Sequence, residues 1–171
     1  MLDVIKNRRS VRKFDLSKKV SYDTLVELCK YASYAPTARN QEDREYMIID
    51  DEKIINELSE VSKGSQILKN CNTVIAILGK SIMEASVPEM VPSDLAAATE
   101  NLLLAATSLK LGSCWVGIYP MDMRMIKCNQ ILGLNNGVFV FSLIAIGYPE
   151  DDDVFYEKDK FKLGDLHHNK Y

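Results

Sequence analysis

The chain has 171 residues, of which 47% are apolar, and its 21 Lys and Arg against 24 Asp and Glu give a formal charge of -3. This length suits one domain with an adequate core, and the apolar content excludes a disordered chain. A general nucleic-acid binder would usually be basic, so we expect no nucleic-acid partner. The apolar runs are too short or too interrupted to span a bilayer, and no signal peptide begins the sequence. We therefore expect a cytoplasmic protein without a membrane partner.

The cysteines and histidines form no metal-site pattern. The cysteines are Cys29, Cys71, Cys114 and Cys128, and no two of them form a C-x-x-C pair. Most of them lie in apolar patterns, so we interpret them as small buried side chains in a reducing compartment. The two histidines lie together in the polar tail. We therefore expect no metal site.

Helices follow from apolar periodicity and from capping residues. Ser21 is a suitable N-cap, and apolar residues follow it at helical spacing as far as Pro36, where a helix must end. Asp51 can cap a second helix. Ser93 opens the longest apolar segment, which Gly112 ends. The predicted helices span residues 2–7, 21–35, 51–63, 93–111 and 122–131, and Asp122 is the expected cap of the last one.

Strands are predicted at residues 45–50, 73–78, 113–119 and 138–146. Two of these segments are continuously apolar, which is typical of strands covered on both faces. The alternation of strands with helices would allow a parallel doubly wound sheet. However, no strand precedes a G-x-G-x-x-G sequence and no P-loop is present, so a Rossmann-type nucleotide site has no support. We expect a loop at 79–92 and one domain over 1–171, with 150–171 as an extended tail.

A basic stretch near the start of the chain, N-R-R-S-V-R-K-F, stands out in an acidic protein. In an extended backbone successive side chains alternate, so Arg8, Ser10 and Arg12 would project to one side. Two guanidinium groups that flank a hydroxyl group can bind a phosphate. The alternative is an ordinary solvated basic segment. Val11 and Phe14 favour the phosphate site, because both side chains require burial.

The same stretch, R-R-S-V-R-K-F, resembles the amino-terminal signature of the FMN-dependent nitroreductase family. Three further motifs continue the likeness in the same order: A-P-T-A-R-N at 35–40, L-G-S-C-W-V-G at 111–117 and I-G-Y-P at 146–149. The resemblance thus covers nearly the whole chain. It implies an α+β sandwich with a mainly antiparallel central sheet flanked by helices. It also implies a homodimer whose subunits exchange their C-terminal tails.

The resemblance implies FMN as the cofactor. Arg8 and Ser10 would bind its phosphate and ribityl region, Arg12 would lie near the pyrimidine edge, and Lys160 and Lys162 would complete the phosphate site. The residues expected to bind the cofactor are Arg8, Arg9, Ser10, Arg12, Pro36, Thr37, Ala38, Asn40, Gln66, Trp115, Val116, Gly117, Lys160 and Lys162.

Two other segments carry specific expectations from the resemblance. The loop at 36–40 would reach the flavin from the partner subunit. The backbone from Trp115 to Ile118 would approach the flavin N5 atom, with Gly117 allowing close passage. Each of these residues also has an alternative that involves no cofactor. Asn40 could be a turn residue, Trp115 could pack in the core, and the tail lysines could be solvated. Gln66 could also reach the flavin.

The sequence departs from the family pattern in three places. Glu42, Asp43 and Arg44 stand where many members have Gln-Pro-Trp, so acidic groups there would repel an anionic substrate if they faced the site. Lys162 replaces the arginine of a K-x-R-L tail motif, which keeps the charge and loses the bidentate fork. The segment 79–92 is short for a region that often forms a substrate lid, which predicts an open pocket.

The implied activity is that of an FMN-dependent oxidoreductase. Hydride would pass from NADH or NADPH through the flavin to a flat electrophile such as a nitroaromatic or a quinone. No catalytic side chain is expected, because hydride chemistry belongs to the cofactor. The alternatives are a family relative with dehalogenase or flavin-cleaving chemistry, and a flavin-binding storage or sensor protein without turnover.

Overall fold

The computed structural model describes residues 2–80 and 85–171. Within this part of the chain, a four-stranded sheet consists of β1 (Arg44–Ile49), β2 (Thr73–Lys80), β3 (Gly112–Gly117) and β4 (Val138–Gly147). The order across the sheet is β1-β2-β4-β3, and each neighbouring pair is antiparallel. The predicted α+β class with a mainly antiparallel sheet is therefore confirmed, and the parallel doubly wound alternative is wrong.

The described α-helices are α1 (Leu2–Asn7), α2 (Tyr22–Ser33), α3 (Glu52–Ser59), α4 (Val91–Ser108) and α5 (Asp122–Leu132). Two predicted caps are confirmed. The Ser21 side chain accepts the backbone N–H of Thr24 at the start of α2, and Asp51 accepts those of Lys53 and Ile54 at the start of α3. These helix starts could be located from the sequence, because a capping side chain bonds to backbone N–H groups only two or three positions away.

Other helix ends differ from the prediction. The longest helix begins at Val91 rather than Ser93, because Pro92 fits the first turn, where its missing N–H would have no helical partner. The helix α3 ends at Ser59 rather than near residue 63. The sequence also predicts a short helical turn around Ile67 and Leu68, and the structure has a 3-10 helix there, over Lys63–Asn70.

Two further differences concern the second half of the chain. Asp122 is the first residue of α5 rather than its cap, and the residue before the helix makes no side-chain capping bond. The strand β3 ends at Gly117 and not at Tyr119. Within the predicted loop at 79–92, a 3-10 helix forms over Pro88–Met90, and residues 81–84 lie outside the described residues.

Apolar side chains fill both faces of the sheet. Along β2, Val74 and Ala76 belong to the core under α3 and α5, whereas Ile75 and Ile77 belong to the core under α2 and α4. The continuously apolar strands are thus covered on both faces, as predicted. The helix α4 is also largely buried, in agreement with its apolar sequence. None of the helices in the described ranges combines the length and hydropathy that crossing a membrane requires.

The chain after Pro149 is mostly extended. It contains only short 3-10 turns at Asp152–Val154 and Leu163–Asp165, and every residue from Tyr156 to the end is exposed. The predicted polar tail is therefore present. Its exchange between subunits stays a prediction.

Candidate functional site

The basic stretch is held in place at the sheet edge formed by β3. Ser10 forms a parallel bridge with Ser113, and the N–H of Val11 donates to the Ser113 carbonyl at 2.9 Å. Further along, Phe14 bridges Pro149 in antiparallel fashion. Val11 and Phe14 are 4% and 7% exposed, as their apolar character predicted. The stretch is therefore an extended segment anchored by two buried side chains, so its arginines are not on a free arm.

Two glycines make this anchoring possible. A Cβ atom at Gly112 would lie 2.8 Å from a methyl carbon of Val11, and one at Gly147 would lie 3.0 Å from the Phe14 ring. Any larger residue would push the basic stretch away from the sheet. These contacts could not be predicted from the sequence, because a contact over such a sequence separation leaves no local signal.

A solvent-open cavity of about 1130 Å³ lies along the basic stretch. Five of the predicted cofactor residues line it, namely Arg8, Arg9, Ser10, Arg12 and Lys160. Four consecutive acidic residues, Glu150, Asp151, Asp152 and Asp153, also line it. The tail thus returns a lysine to the arginines although some 150 positions separate them in the sequence.

The three arginines have different surroundings. The Arg8 Nε lies 3.1 Å from a carboxylate oxygen of Glu100 on α4. Arg9 donates from Nε to the Tyr156 carbonyl at 2.7 Å and from its Nη2 to the Lys6 carbonyl, and it also lies over the Tyr156 ring. Arg9 is therefore engaged in holding the tail.

Arg12 is the most available of these cations. It is exposed, and its described side-chain contact is a hydrogen bond of 3.2 Å to the Ser10 carbonyl. Lys160 and Lys162 are exposed in the tail, and only Lys160 is among the residues that line the cavity.

Glu100 is a site residue that the sequence analysis missed. Burial raises the pKa of its carboxyl group, and the positive charge of Arg8 opposes this rise. Together with Asp94, it is one of two acids within α4, which is otherwise uncharged and mainly apolar. Acids in an apolar helix are a detectable signal, because they need a partner when the helix packs.

The loop at 36–40 lies apart from this cavity. None of Pro36, Thr37, Ala38 and Asn40 is among the described residues that line it. Asn40 is exposed and its amide lies 3.4 Å from Glu42 Oε1. One chain by itself therefore does not bring this loop to the basic stretch, and the predicted role of the loop towards a flavin of the partner stays a prediction.

The residues that depart from the family pattern have distinct environments. Glu42 is exposed, whereas Asp43 is 3% exposed. Burial raises the pKa of Asp43, with a smaller rise from Asp94, and Arg44 and Lys80 oppose it. Arg44 also donates to the Ser33 carbonyl. Of the two acids, only Glu42 presents its charge to solvent.

The predicted segment of β3 presents two faces. Trp115 is 37% exposed and packs against Phe141 at 6.0 Å between ring centroids, whereas Val116 is buried on the opposite face. At Gly117 an added Cβ atom would meet nothing within 4 Å, so open space lies beside it. Because β3 is the last strand of the sheet, its outer backbone edge beyond Ser113 has no strand partner among the described residues.

Gln66 lies on the 3-10 helix after α3, where it is exposed. It does not line the large cavity in the described part of the chain. The structure thus gathers five of the predicted residues in one place, sets Trp115, Val116 and Gly117 on the adjoining strand, and leaves the 36–40 loop, Gln66 and Lys162 elsewhere.

The described cysteines form no disulfide, and Cys71, Cys114 and Cys128 are buried. Burial raises the pKa of the Cys71 thiol to about 11 and that of Cys128 to about 12. These thiols are therefore protonated and unreactive near neutral pH. The described residues also contain no group of side chains suited to a metal ion.

Comparison with known proteins was made at the levels of sequence and structure. The chain matches the nitroreductase family over residues 5–71 and 61–148. It is 33% identical to a candidate NADH dehydrogenase/NAD(P)H nitroreductase of Archaeoglobus fulgidus, over 99% of this chain and 98% of the relative.

Solved structures agree with this assignment. A candidate NADH oxidase from Clostridium acetobutylicum superposes with a TM-score of 0.92 at 34% identity, covering 98% of this chain and 99% of the other. An FMN-dependent nitroreductase from Clostridium difficile superposes with a TM-score of 0.84 at 25% identity, covering 100% of both chains. The family match spans most of the sequence, and the fold agrees along its whole length. The chain therefore belongs to the nitroreductase family.

Proposed function

We propose that this protein binds FMN and acts as an NAD(P)H-dependent oxidoreductase that reduces a flat electrophile such as a nitroaromatic or a quinone. The observation that carries the proposal is the convergence of Arg8, Ser10, Arg12 and Lys160 on one cavity. This set supplies rigid guanidinium donors, a hydroxyl group and an ammonium group, which together suit a phosphate dianion.

The surroundings of the cavity fit the rest of the cofactor. The free outer edge of β3 offers backbone N–H groups, and the open space at Gly117 allows a flat ring to approach them. The half-exposed Trp115 adds an apolar surface beside this edge. When FMN is bound, it accepts hydride from the nicotinamide and passes it to the acceptor. The chain would bind and orient the cofactor, and Arg12 would favour negative charge on the pyrimidine side.

The names of the relatives support the same activity. The protein from Archaeoglobus fulgidus is named for NADH and NAD(P)H, and the structure from Clostridium difficile is named for FMN. The choice between NADH and NADPH for this chain is open. The free thiols agree with the proposed cytoplasmic location.

The test of this proposal is spectroscopic. Purified protein, with or without added FMN, is expected to show the visible bands of oxidised flavin. Anaerobic NADH or NADPH should bleach them, and a nitroaromatic or a quinone should restore them. A protein that takes up no FMN would contradict the proposal, and a bound flavin that neither nicotinamide bleaches would favour storage or sensing instead.

We further propose that the working form is a homodimer of single-domain subunits. An apolar groove of about 490 Å³ lies between α1, α2 and α4, and Ile5, Tyr31 and Tyr34 are among the exposed residues that line it. The tail also leaves Phe161, Leu163 and Leu166 exposed as large apolar side chains, and a second subunit would cover such surfaces. Association would also allow the 36–40 loop of one subunit to reach the flavin of the other.

A further inference from the structure

The loop at 37–42 has an unusual backbone. Arg39, Asn40 and Glu42 have φ angles of 50°, 54° and 48°, in the left-handed region. Residues with a Cβ atom disfavour this region, so such a conformation persists only where the surroundings determine it. The loop therefore needs contacts that hold its shape.

Bonds within the loop, such as the one from the Glu42 N–H to Thr37 Oγ1 at 3.3 Å, contribute, and α4 supplies further contacts. The two carboxylate oxygens of Asp94 accept the N–H of Ala38 at 3.0 and 3.1 Å, and one of them also accepts from Gln41 Nε2 at 2.7 Å. Asp94 is 5% exposed. Gln41 in turn accepts the N–H of Val87 through Oε1 at 3.0 Å. One buried carboxylate thus ties the loop to the longest helix and, through Gln41, to the segment before that helix.

The chemistry of these bonds requires a carboxylate. An ionised carboxylate only accepts, so Asp94 can satisfy the Ala38 and Gln41 donors together. Hydrogen bonds to a charged acceptor are also stronger than neutral ones, and a buried charge persists only with such partners. The contacts of Asp94 therefore suit the task of holding a strained loop.

We propose that Asp94 is a positioning residue that holds the 36–40 loop in its flavin-binding shape, acting through Ala38 and Gln41. The proposal rests on the proposed function, because it assigns a purpose to the loop only if the protein binds FMN. Asp94 has no direct contact with the flavin in this scheme. A loop already held in its bound shape loses less conformational freedom on binding, so the benefit appears as cofactor affinity.

The substitution Asp94→Asn tests this arrangement sharply. With the amide oxygen at the Oδ1 position, the new side chain still accepts from Ala38, but its N–H₂ faces the N–H₂ of Gln41. If the Gln41 amide turns over to avoid this clash, its N–H₂ faces the N–H of Val87 instead. With the amide at position 94 turned over, its oxygen accepts from Ala38 and Gln41, but its N–H₂ lies against the N–H of Ala38. One contact between two donors therefore remains in each of these orientations.

A second substitution removes the clash. In the double variant Asp94→Asn with Gln41→Glu, the carboxylate at position 41 accepts from both the amide at position 94 and the N–H of Val87. It loses only the long bond of 3.5 Å that Gln41 Nε2 donates to the Val87 carbonyl. Asp122→Asn is the matched control. Like Asp94, Asp122 lies in the first turn of a helix, but its side chain is exposed.

Each variant is titrated with FMN at a temperature where the flavin-free protein is folded, and the visible band shape of the bound flavin is recorded. We expect D94N to weaken FMN binding about tenfold, as for one lost hydrogen bond to a buried charge, and to change the band shape. The FMN affinity of the double variant should return to within about threefold of the wild-type affinity. The FMN affinity of D122N should equal that of the wild type. Hydrogen exchange of the flavin-free protein should rise in D94N at residues 37–42 and at Val87 only.

Wild-type affinity and wild-type exchange in D94N would overturn the proposal. A loss of affinity that Gln41→Glu does not recover would overturn the part assigned to the Asp94–Gln41 contact. If the wild-type protein itself binds no FMN, the proposed function fails and the flavin role of Asp94 fails with it. The exchange comparison then still shows separately whether Asp94 holds the loop.

Discussion

Three arginines within five positions have three different roles in this protein. Arg8 is paired with Glu100 and Arg9 holds the tail through the Tyr156 carbonyl, whereas Arg12 remains exposed beside the cavity. The sequence alone makes these side chains appear equivalent apart from the side of the strand they face. Their neighbours decide which of them is free for an anionic ligand.

Arg12→Ala is expected to weaken FMN binding by about tenfold and to make the bound flavin harder to reduce, because a cation near the flavin is lost. Titration with FMN and potentiometry measure the two effects. Lys127→Ala, which removes an exposed cation on α5, should change neither. Equal affinity and potential in R12A and the wild type would contradict the placement of Arg12 at the flavin.

Glu100 gives a prediction about pH. Burial raises the pKa of this carboxyl group above its ordinary value, with Arg8 opposing, so protonation favours the folded state. The stabilising contribution is complete below the ordinary value of about 4.3 and is lost as the pH rises through the raised value. Because Glu100→Gln is neutral at every pH, its Tm relative to the wild type should be higher at about pH 7 than at about pH 4.

The background of Arg8→Ala provides the comparison. Removing the cation that opposes the rise should enlarge the pH dependence of the Tm difference. Thermal unfolding of the wild type, Glu100→Gln, Arg8→Ala and the double variant at both pH values measures this pH dependence. A difference that falls towards neutral pH would show that the charge pair with Arg8 outweighs burial.

At the scale of secondary-structure elements, the packing of the basic stretch on the sheet depends on glycine. Gly112→Ala would place a Cβ atom 2.8 Å from Val11 and 3.1 Å from Phe14. We expect this overpacking to destabilise the protein by about 1–3 kcal/mol. It should also weaken FMN binding, because the stretch that carries the arginines is displaced.

Gly117→Ala is expected to weaken FMN binding without lowering the stability of the protein. Nothing lies within 4 Å of the added Cβ atom, so Tm should remain close to that of the wild type while FMN binding weakens. Gly64→Ala is the control for both variants, since its nearest contact would be an ordinary 3.8 Å. Chemical denaturation and FMN titration separate the effects. A G117A variant with full FMN affinity would show that no flavin ring approaches this edge.

At the scale of the whole molecule, the tail after Pro149 has few contacts of its own. Its exposed apolar residues cannot compensate for the conformational entropy of ordering it. Deleting the residues after Pro149 is therefore expected to abolish both the dimer and high-affinity FMN binding. Analytical ultracentrifugation of the full chain and the truncated chain, each titrated with FMN, measures this. A truncated protein that remains dimeric and yellow would contradict the prediction, as would a full-length monomer with normal FMN affinity.

Concentration dependence gives an independent check on the same assembly. If folding and association are linked, the Tm of the full chain should rise with protein concentration. Leu163→Ser should reduce this dependence, because it removes an apolar side chain that is 74% exposed in the single chain. Asn169→Ser, an exposed polar change in the same tail, is the matched control.

The patterns in the sequence located most of the elements, and the family resemblance of its motifs indicated the class of the fold. The strands β2 and β4 were recognisable because continuous apolar runs have few alternatives to a covered strand. The starts of α2 and α3 were recognisable because Ser21 and Asp51 act within one helical turn. The motif around Arg8 and Arg12 was recognisable because its chemistry and spacing lie within a few residues.

Only the tertiary structure decided how these parts meet. The pairing of Ser10 with Ser113, the contact of Phe14 with Gly147 and the arrival of Lys160 at the cavity all join residues distant in the chain. Asp94 and Glu100 could be recognised in the sequence as acids in a mainly apolar helix, but their partners could not be predicted. Such contacts leave no periodic or local pattern, because they depend on how the sheet and helices pack. For this reason candidate cofactor-binding residues could be named from the sequence, while the residues that hold the basic stretch in place could not.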